Sequence, residues 1–263
     1  MIPAWLPDTV TRDIDRAMHY TMLWGLEALE LRMIGSSRVP HVINEEKLSR
    51  RLLEYDVAVA SIIPGLFEAP LSARLEWMND LLLLDDCIDF CKRLHCTRMV
   101  VSGFAPEDEK DASTALDRVA EILRQAAEKV HQAGITLAVI NESDMLISTG
   151  AQLARLLAHV DHPACLAAWS PAEALRAGEN PADGAQLLGE RITLVRFRDG
   201  RFRGDTWQET LPGEGDVGWP EHLHQLHDQG FDGVLSMELL LKPAGKKGLQ
   251  AATRMLQWMR QVS

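Results

Sequence analysis

The sequence predicts an α/β protein of the (β/α)8 TIM barrel type, and three observations carry that expectation. One unit recurs along the chain: a helical stretch, a short break usually marked by Gly, then an apolar strand. Strands alternating with helices imply a parallel sheet, and eight such units favour closure over an open doubly wound sheet. The chain has 263 residues, a usual size for one such barrel, and no linker or composition break divides it, so residues 1–263 are read as a single domain. No Gly-x-Gly-x-x-Gly follows the first strand and no P-loop occurs, which weakens nucleotide-binding alternatives.

The elements can be placed in order. A short strand falls at residues 2–6. Trp24-Gly25 leads into residues 26–31, Ala133-Gly134 into 135–140, and Gln229-Gly230 into 233–238. Gly at these points fits a left-handed helix stop. Similar strands lie at 57–63, 98–102, 165–170 and 192–198. Between them the helices are amphipathic: Leu116, Val119, Ile122, Leu123, Ala126 and Val130 recur at three- and four-residue spacing. Pro40, Pro64-Gly65, Pro106, Pro171 and Pro243 mark loops after strands, which form the active face of such a barrel.

Composition bounds the function. Apolar residues make up 46% and charged residues 25%, as in ordinary globular proteins, and the net charge is −11. That charge opposes binding to nucleic acid or anionic membranes. The first residues lack the basic and apolar regions of a signal peptide, and apolar runs such as residues 81–84 are too short to span a bilayer. A cytoplasmic protein is expected, with a homo-oligomer left open. Of four cysteines, Cys87 and Cys91 sit i, i+4 in a helical pattern, Cys96 lies past its end, and Cys165 opens a strand. No CxxC occurs, so buried thiols are expected. His222, His224 and His227 read as a solvated helix face, and His41 as a loop residue on the active face.

Side chains alternate along strands, so polar positions report what faces the bore. Val234, Ser236 and Glu238 share one phase; so do Leu194, Arg196 and Arg198; Ala28, Glu30 and Arg32; Leu166, Ala168 and Ser170; and Thr136, Ala138, Ile140 and Glu142. Each polar run lies toward the C-terminal end of its strand. The mouth should therefore carry Glu30, Arg32, Glu142, Ser170, Arg196, Arg198 and Glu238. These charges either solvate the rim or converge on a ligand.

The stretch Leu211-Pro-Gly-Glu-Gly-Asp-Val-Gly-Trp-Pro220, a helix, and then Gly233-Val-Leu-Ser-Met-Glu238 resembles the closing unit of the xylose isomerase-like barrels. That superfamily holds sugar isomerases, sugar epimerases and a class of DNA-repair endonuclease. The resemblance implies a divalent metal held by a Glu ending strand five, an Asp ending strand six, a His or Gln on strand seven and a Glu on strand eight. Here strand five reads Leu137-Ala-Val-Ile-Asn-Glu142: Asn141 matches, but Ile140 stands at the ligand position. Strand six ends Trp169-Ser170-Pro171, with Ser170 for the Asp. Strand seven reads Arg196-Phe-Arg-Asp199, with Arg196 for the His. Glu238 remains, and Glu30 matches on strand two.

One carboxylate holds a divalent ion poorly, and a guanidinium repels it, so no metal or other cofactor is expected. A bulge in strand five would be needed to bring Glu142 to the vacated position. The resulting expectation is a sugar isomerase- or epimerase-like barrel for a small sugar, polyol or sugar acid, phosphorylated or not. Glu238 and Glu142 are its proton carriers, and Glu30, Arg32, Asn141, Ser170, Arg196 and Arg198 contact the ligand. The alternative is a non-catalytic relative serving as ligand sensor or supporting subunit. Arg196 is expected to lie beside the vacated metal position and to pair with Glu238 or Glu142.

Overall fold

The computed structural model describes residues 1–106 and 112–262. Eight parallel strands close into a barrel: β1 (Ile2–Trp5), β2 (Ala28–Leu31), β3 (Ala58–Ile62), β4 (Arg98–Val101), β5 (Thr136–Ile140), β6 (Cys165–Trp169), β7 (Ile192–Phe197) and β8 (Val234–Met237). Neighbours follow chain order, and β8 pairs with β1 to complete the ring. All eight fall at the expected stretches. The chain is a (β/α)8 barrel.

Helices surround the ring: α1 (Ile14–Trp24), α2 (Glu45–Tyr55), α3 (Arg74–Arg93), α4 (Ala112–His131), α5 (Gly150–Val160), α6 (Pro171–Arg176), α7 (Pro181–Leu188), α8 (Trp219–Asp228) and α9 (Ala244–Val262). Their ends follow local chemistry. Asp13 caps α1 by accepting from the Arg16 amide at 2.8 Å, and Thr149 and Gln152 form a reciprocal capping box at the start of α5. Gly25, Gly134 and Gly230 take φ of 68°, 72° and 80°, the left-handed stops read from the sequence. Among the described residues no helix is long and apolar enough to cross a membrane.

Strand alternation sorts side chains into two layers. One phase (Leu29, Leu137, Val195 and Leu235 among it) is fully buried among the helices. Each such side chain stabilises the fold by about 1.5–3 kcal/mol. The other phase fills the bore with one residue per strand: Ala4, Ala28, Ala60, Val100, Ala138, Ala168, Leu194 and Val234. This is the interior phase read from the sequence. Five alanines make a narrow plug. Below them Arg98 crosses the base of the barrel, donating to the Thr193 hydroxyl at 2.9 and 3.1 Å and to the Ala60 carbonyl at 2.8 Å. Above them the same phase turns polar.

Two antiparallel hairpins extend the mouth, at Met33–Ile34 with Ser37–Arg38 and at Asp199–Arg203 with Thr206–Thr210. The second continues directly from β7. Asp199, 1% exposed, anchors its base: the carboxylate accepts amides of Gly200, Gly213, Gly215 and Val217 at 2.8 to 3.2 Å. A Cβ on Gly215 would lie 2.1 Å from the Asp199 Oδ1, so the Gly-Glu-Gly-Asp turn needs glycine there to wrap its clamp. The turn is thus a structural device that positions the hairpin beside the mouth.

Candidate active site

A cavity of about 240 Å³ opens at the C-terminal end of the barrel. Glu142, Ser170, Arg196, Arg198 and Glu238 line it, from four different strand ends, together with Arg32 beyond β2. Apolar Val100 and Ile140 form part of its floor.

Directly beneath the cavity lies a buried ionic layer. Glu30 is 0% exposed and Arg196 3%. The Arg196 Nη1 donates to the Glu30 Oε1 at 2.5 Å, Ser61 donates to Oε2 at 2.6 Å, and the Ser236 hydroxyl donates to Oε1. The local backbone sets this up: a register shift between Leu29 and Glu30 brings Glu30 opposite Ser61. The expected partner of Arg196 was Glu238 or Glu142; the partner is Glu30. Ser61 and Ser236 give Glu30 a polar cradle that neither other carboxylate has, and full burial makes an ionic partner obligatory there.

The remaining arginines also arrive paired. Arg32 forks onto Asp8 at 2.8 and 3.1 Å. Arg38 pairs with Glu68 at the rim. Gly65, at φ 81°, leaves room for that guanidinium, which lies 2.1 Å from where a Cβ would stand. Arg198 is a hub. It forks onto Glu209 of the hairpin at 2.6 and 3.0 Å, donates to Glu173 of α6 at 2.6 Å, and lies 3.5 Å from Glu238. Burial works against its charge, but these three carboxylates outweigh that and raise its pKa. Arg176 closes the cluster, donating to Glu173 at 2.9 Å and stacking over Trp207.

Glu142 differs from the other carboxylates. Among the described residues the one hydrogen bond to its carboxylate is from the Ser102 hydroxyl at 2.9 Å, and burial pushes its pKa up. Ser170 is 1% exposed and lines the cavity, and its hydroxyl has no hydrogen-bond partner among the described residues. A buried orphan hydroxyl facing a cavity is poised for a ligand.

Asn141 corrects the sequence reading. It does not line the cavity; its amide joins the ends of β5 and β6, accepting from the Ser170 amide at 2.8 Å and donating to the Ser170 carbonyl at 3.0 Å. His222 is a second correction. It is 3% exposed, not solvated, because Trp169 donates to it at 3.1 Å; burial lowers its pKa to about 4. His224, His227 and His41 are exposed, and all four cysteines are buried and free. Glu173 and Glu209 were missed. Glu173 sits in the first turn of a helix opened by Pro171, and Glu209 follows a Gly204-Asp205 turn between alternating stretches, a hairpin signal that was readable.

The sequence profile of the xylose isomerase-like TIM barrel family matches residues 23–262. The chain belongs to that family. A search of curated proteins finds no match. Solved structures share the family fold at low identity. One is the probable 3-DHS dehydratase AsbF of Bacillus anthracis, 14% identical, with a TM-score of 0.81 over 97% of this chain and 99% of that one. Another is a D-tagatose 3-epimerase-like protein, 20% identical, with a TM-score of 0.81 over 100% and 98%. A third is a xylose isomerase-like TIM barrel protein from Mycobacterium smegmatis in complex with magnesium, 12% identical, with a TM-score of 0.79 over 100% and 97%.

The xylose isomerase-like resemblance implies a divalent cation, and the donors present do not fit one. Ile140 and Ser170 supply no charge, and the Arg196 guanidinium occupies strand seven, locked to Glu30. The strand pairs in unbroken register through Val139 with β4 and through Ile140 with β6, so no bulge within it carries Glu142 back to that position. Among the described residues no group of three or more His, Cys, Asp or Glu is placed to hold a metal ion.

Proposed function

We propose that this barrel is an isomerase or epimerase for a small, non-anionic sugar or polyol, working without a metal. The observation that carries the reading is the convergence of two carboxylates and a guanidinium, Glu142, Glu238 and Arg196, on one cavity from three strands. The volume of about 240 Å³ suits a ligand of monosaccharide size. The pairing of Arg32, Arg196 and Arg198 with carboxylates argues against the anionic ligand that their sequence positions suggested.

In this mechanism Glu238 removes the proton from the carbon beside the sugar carbonyl. The electron pair of that bond moves to the carbonyl oxygen and forms an enediolate. Arginine N–H groups at the cavity stabilise the developing charge. Glu142, whose burial favours the protonated form, returns a proton to the opposite face of the same carbon in epimerisation; in isomerisation it returns it to the adjacent carbon while the hydroxyl proton of the enediolate passes to the other oxygen. The Ser170 hydroxyl orients a substrate hydroxyl.

The test is solvent deuterium exchange. Ketoses and aldoses incubated with chelator-treated protein in D2O should incorporate deuterium beside the carbonyl, read by NMR. Glu238→Gln and Glu142→Gln should each slow exchange by about 10²-fold or more. Sugars that bind without exchanging would favour a ligand-sensing role instead, a reading supported by the residues at positions 140, 170 and 196. Exchange that requires an added divalent ion would defeat the metal-free mechanism.

A further inference from the structure

We propose that the ligand of this cavity carries a protonated amino group, held by Glu142 and Glu238; this rests on the sugar-sized pocket argued above. The charges at the mouth do not balance. Five arginines line the cavity, and five carboxylates pair with them: Asp8 with Arg32, Glu68 with Arg38, Glu30 with Arg196, Glu209 with Arg198, and Glu173 with Arg176 and Arg198. Three further carboxylates line the same cavity: Glu142, Asp144 and Glu238. Glu142 and Asp144 have no ion pair among the described residues, and Glu238 has only a 3.5 Å approach to Arg198, which is already engaged twice.

Among the described residues the lining contains no lysine and no histidine, so none of them supplies a cation to the unbalanced side. Asp144 is exposed and screened, whereas Glu142 and Glu238 are largely shielded from solvent. A shielded carboxylate draws either a proton or a cation. A divalent metal is poorly served by these positions, as argued above. An ammonium is better served. It has three donors and requires only separate acceptors, and the orphan hydroxyl of Ser170 can accept alongside the two carboxylates. A fully anionic group in the same space would meet three carboxylates, and each lining arginine already has its charge offset by a carboxylate.

The experiment is a matched series titrated into chelator-treated full-length protein by calorimetry: D-glucose and D-galactose, their 2-amino-2-deoxy derivatives, their uronates and their 6-phosphates. The amino member of each set should bind about tenfold or more tighter than its neutral parent, and the anionic members more weakly than the parent. Glu142→Gln and Glu238→Gln should remove the amine advantage, bringing each amino sugar to within about threefold of its neutral parent measured on the same variant. An amino sugar no tighter than its parent, or a phosphate or uronate tightest of its set, overturns the ammonium and leaves the sugar pocket standing. Failure of every member to bind overturns both. Stoichiometric manganese or magnesium binding, abolished by the same glutamine variants, also overturns it, because the missing cation would then be a metal.

Discussion

Arg196 on β7 and Glu30 on β2 meet across the barrel mouth, their side chains 3% and 0% exposed and 2.5 Å apart. The two strands are separated by β1 and β8 in the ring, so the pair ties positions 166 residues apart in sequence. It stands where the xylose isomerase-like barrels are expected to use a metal ligand, and it joins the two sides of the bore by a charge-assisted hydrogen bond rather than by coordination.

Breaking one half of this pair leaves a buried charge without its partner. Glu30→Gln or Arg196→Met should each destabilise the protein by about 3–5 kcal/mol, read from urea denaturation midpoints. The double variant should lose less than the sum of the two singles, because no orphan charge remains. Additive losses would show that the pair is not an energetic unit.

The same geometry makes metal binding a matter of three positions together. Arg196→His alone should not bind manganese, because Ile140 and Ser170 still offer no charged ligand. Combining it with Ile140→Glu and Ser170→Asp should create a stoichiometric site, measured by calorimetry. Binding by the single variant would overturn the donor-count argument.

Burial raises the Glu142 pKa above that of an exposed glutamate. A raised folded-state value means that its protonated form favours folding below the unfolded pKa of about 4.3, and that this contribution is lost as pH rises through the folded value. Relative to Glu142→Gln, the wild-type protein should therefore lose stability over that interval on going from acid toward neutral pH. Parallel denaturation curves for the two proteins at each pH would remove the assignment.

His222 titrates with the opposite sign. Its folded value of about 4 lies below the ordinary 6.5, because burial disfavours the imidazolium. The neutral ring contributes fully above pH 6.5, and that contribution falls away as pH drops toward 4. His222→Gln keeps an acceptor for Trp169 and should make the protein less acid-sensitive, recovering about 2 kcal/mol of the loss seen near pH 4.5. Equal acid sensitivity in both proteins would show that the buried ring is not responsible.

Much of the architecture could be read without coordinates. Strand and helix periods are local properties, so eight strands, their inward phase and the glycine stops at Gly25, Gly134 and Gly230 followed from spacing alone. The gathering of Glu142, Ser170, Arg196, Arg198 and Glu238 at one mouth followed too, because phase and strand end together place a side chain in a closed barrel. Partner choice did not. Arg196 took Glu30 rather than a carboxylate named from the family pattern, because a β2–β3 register shift and two serines from other strands build the site for it. Asn141 became a brace and His222 a core residue for the same reason: each answers a group distant in sequence, Ser170 and Trp169. Pattern reports which way a side chain points; hydrogen-bond and charge pairing depend on distances between segments, and only folding sets those.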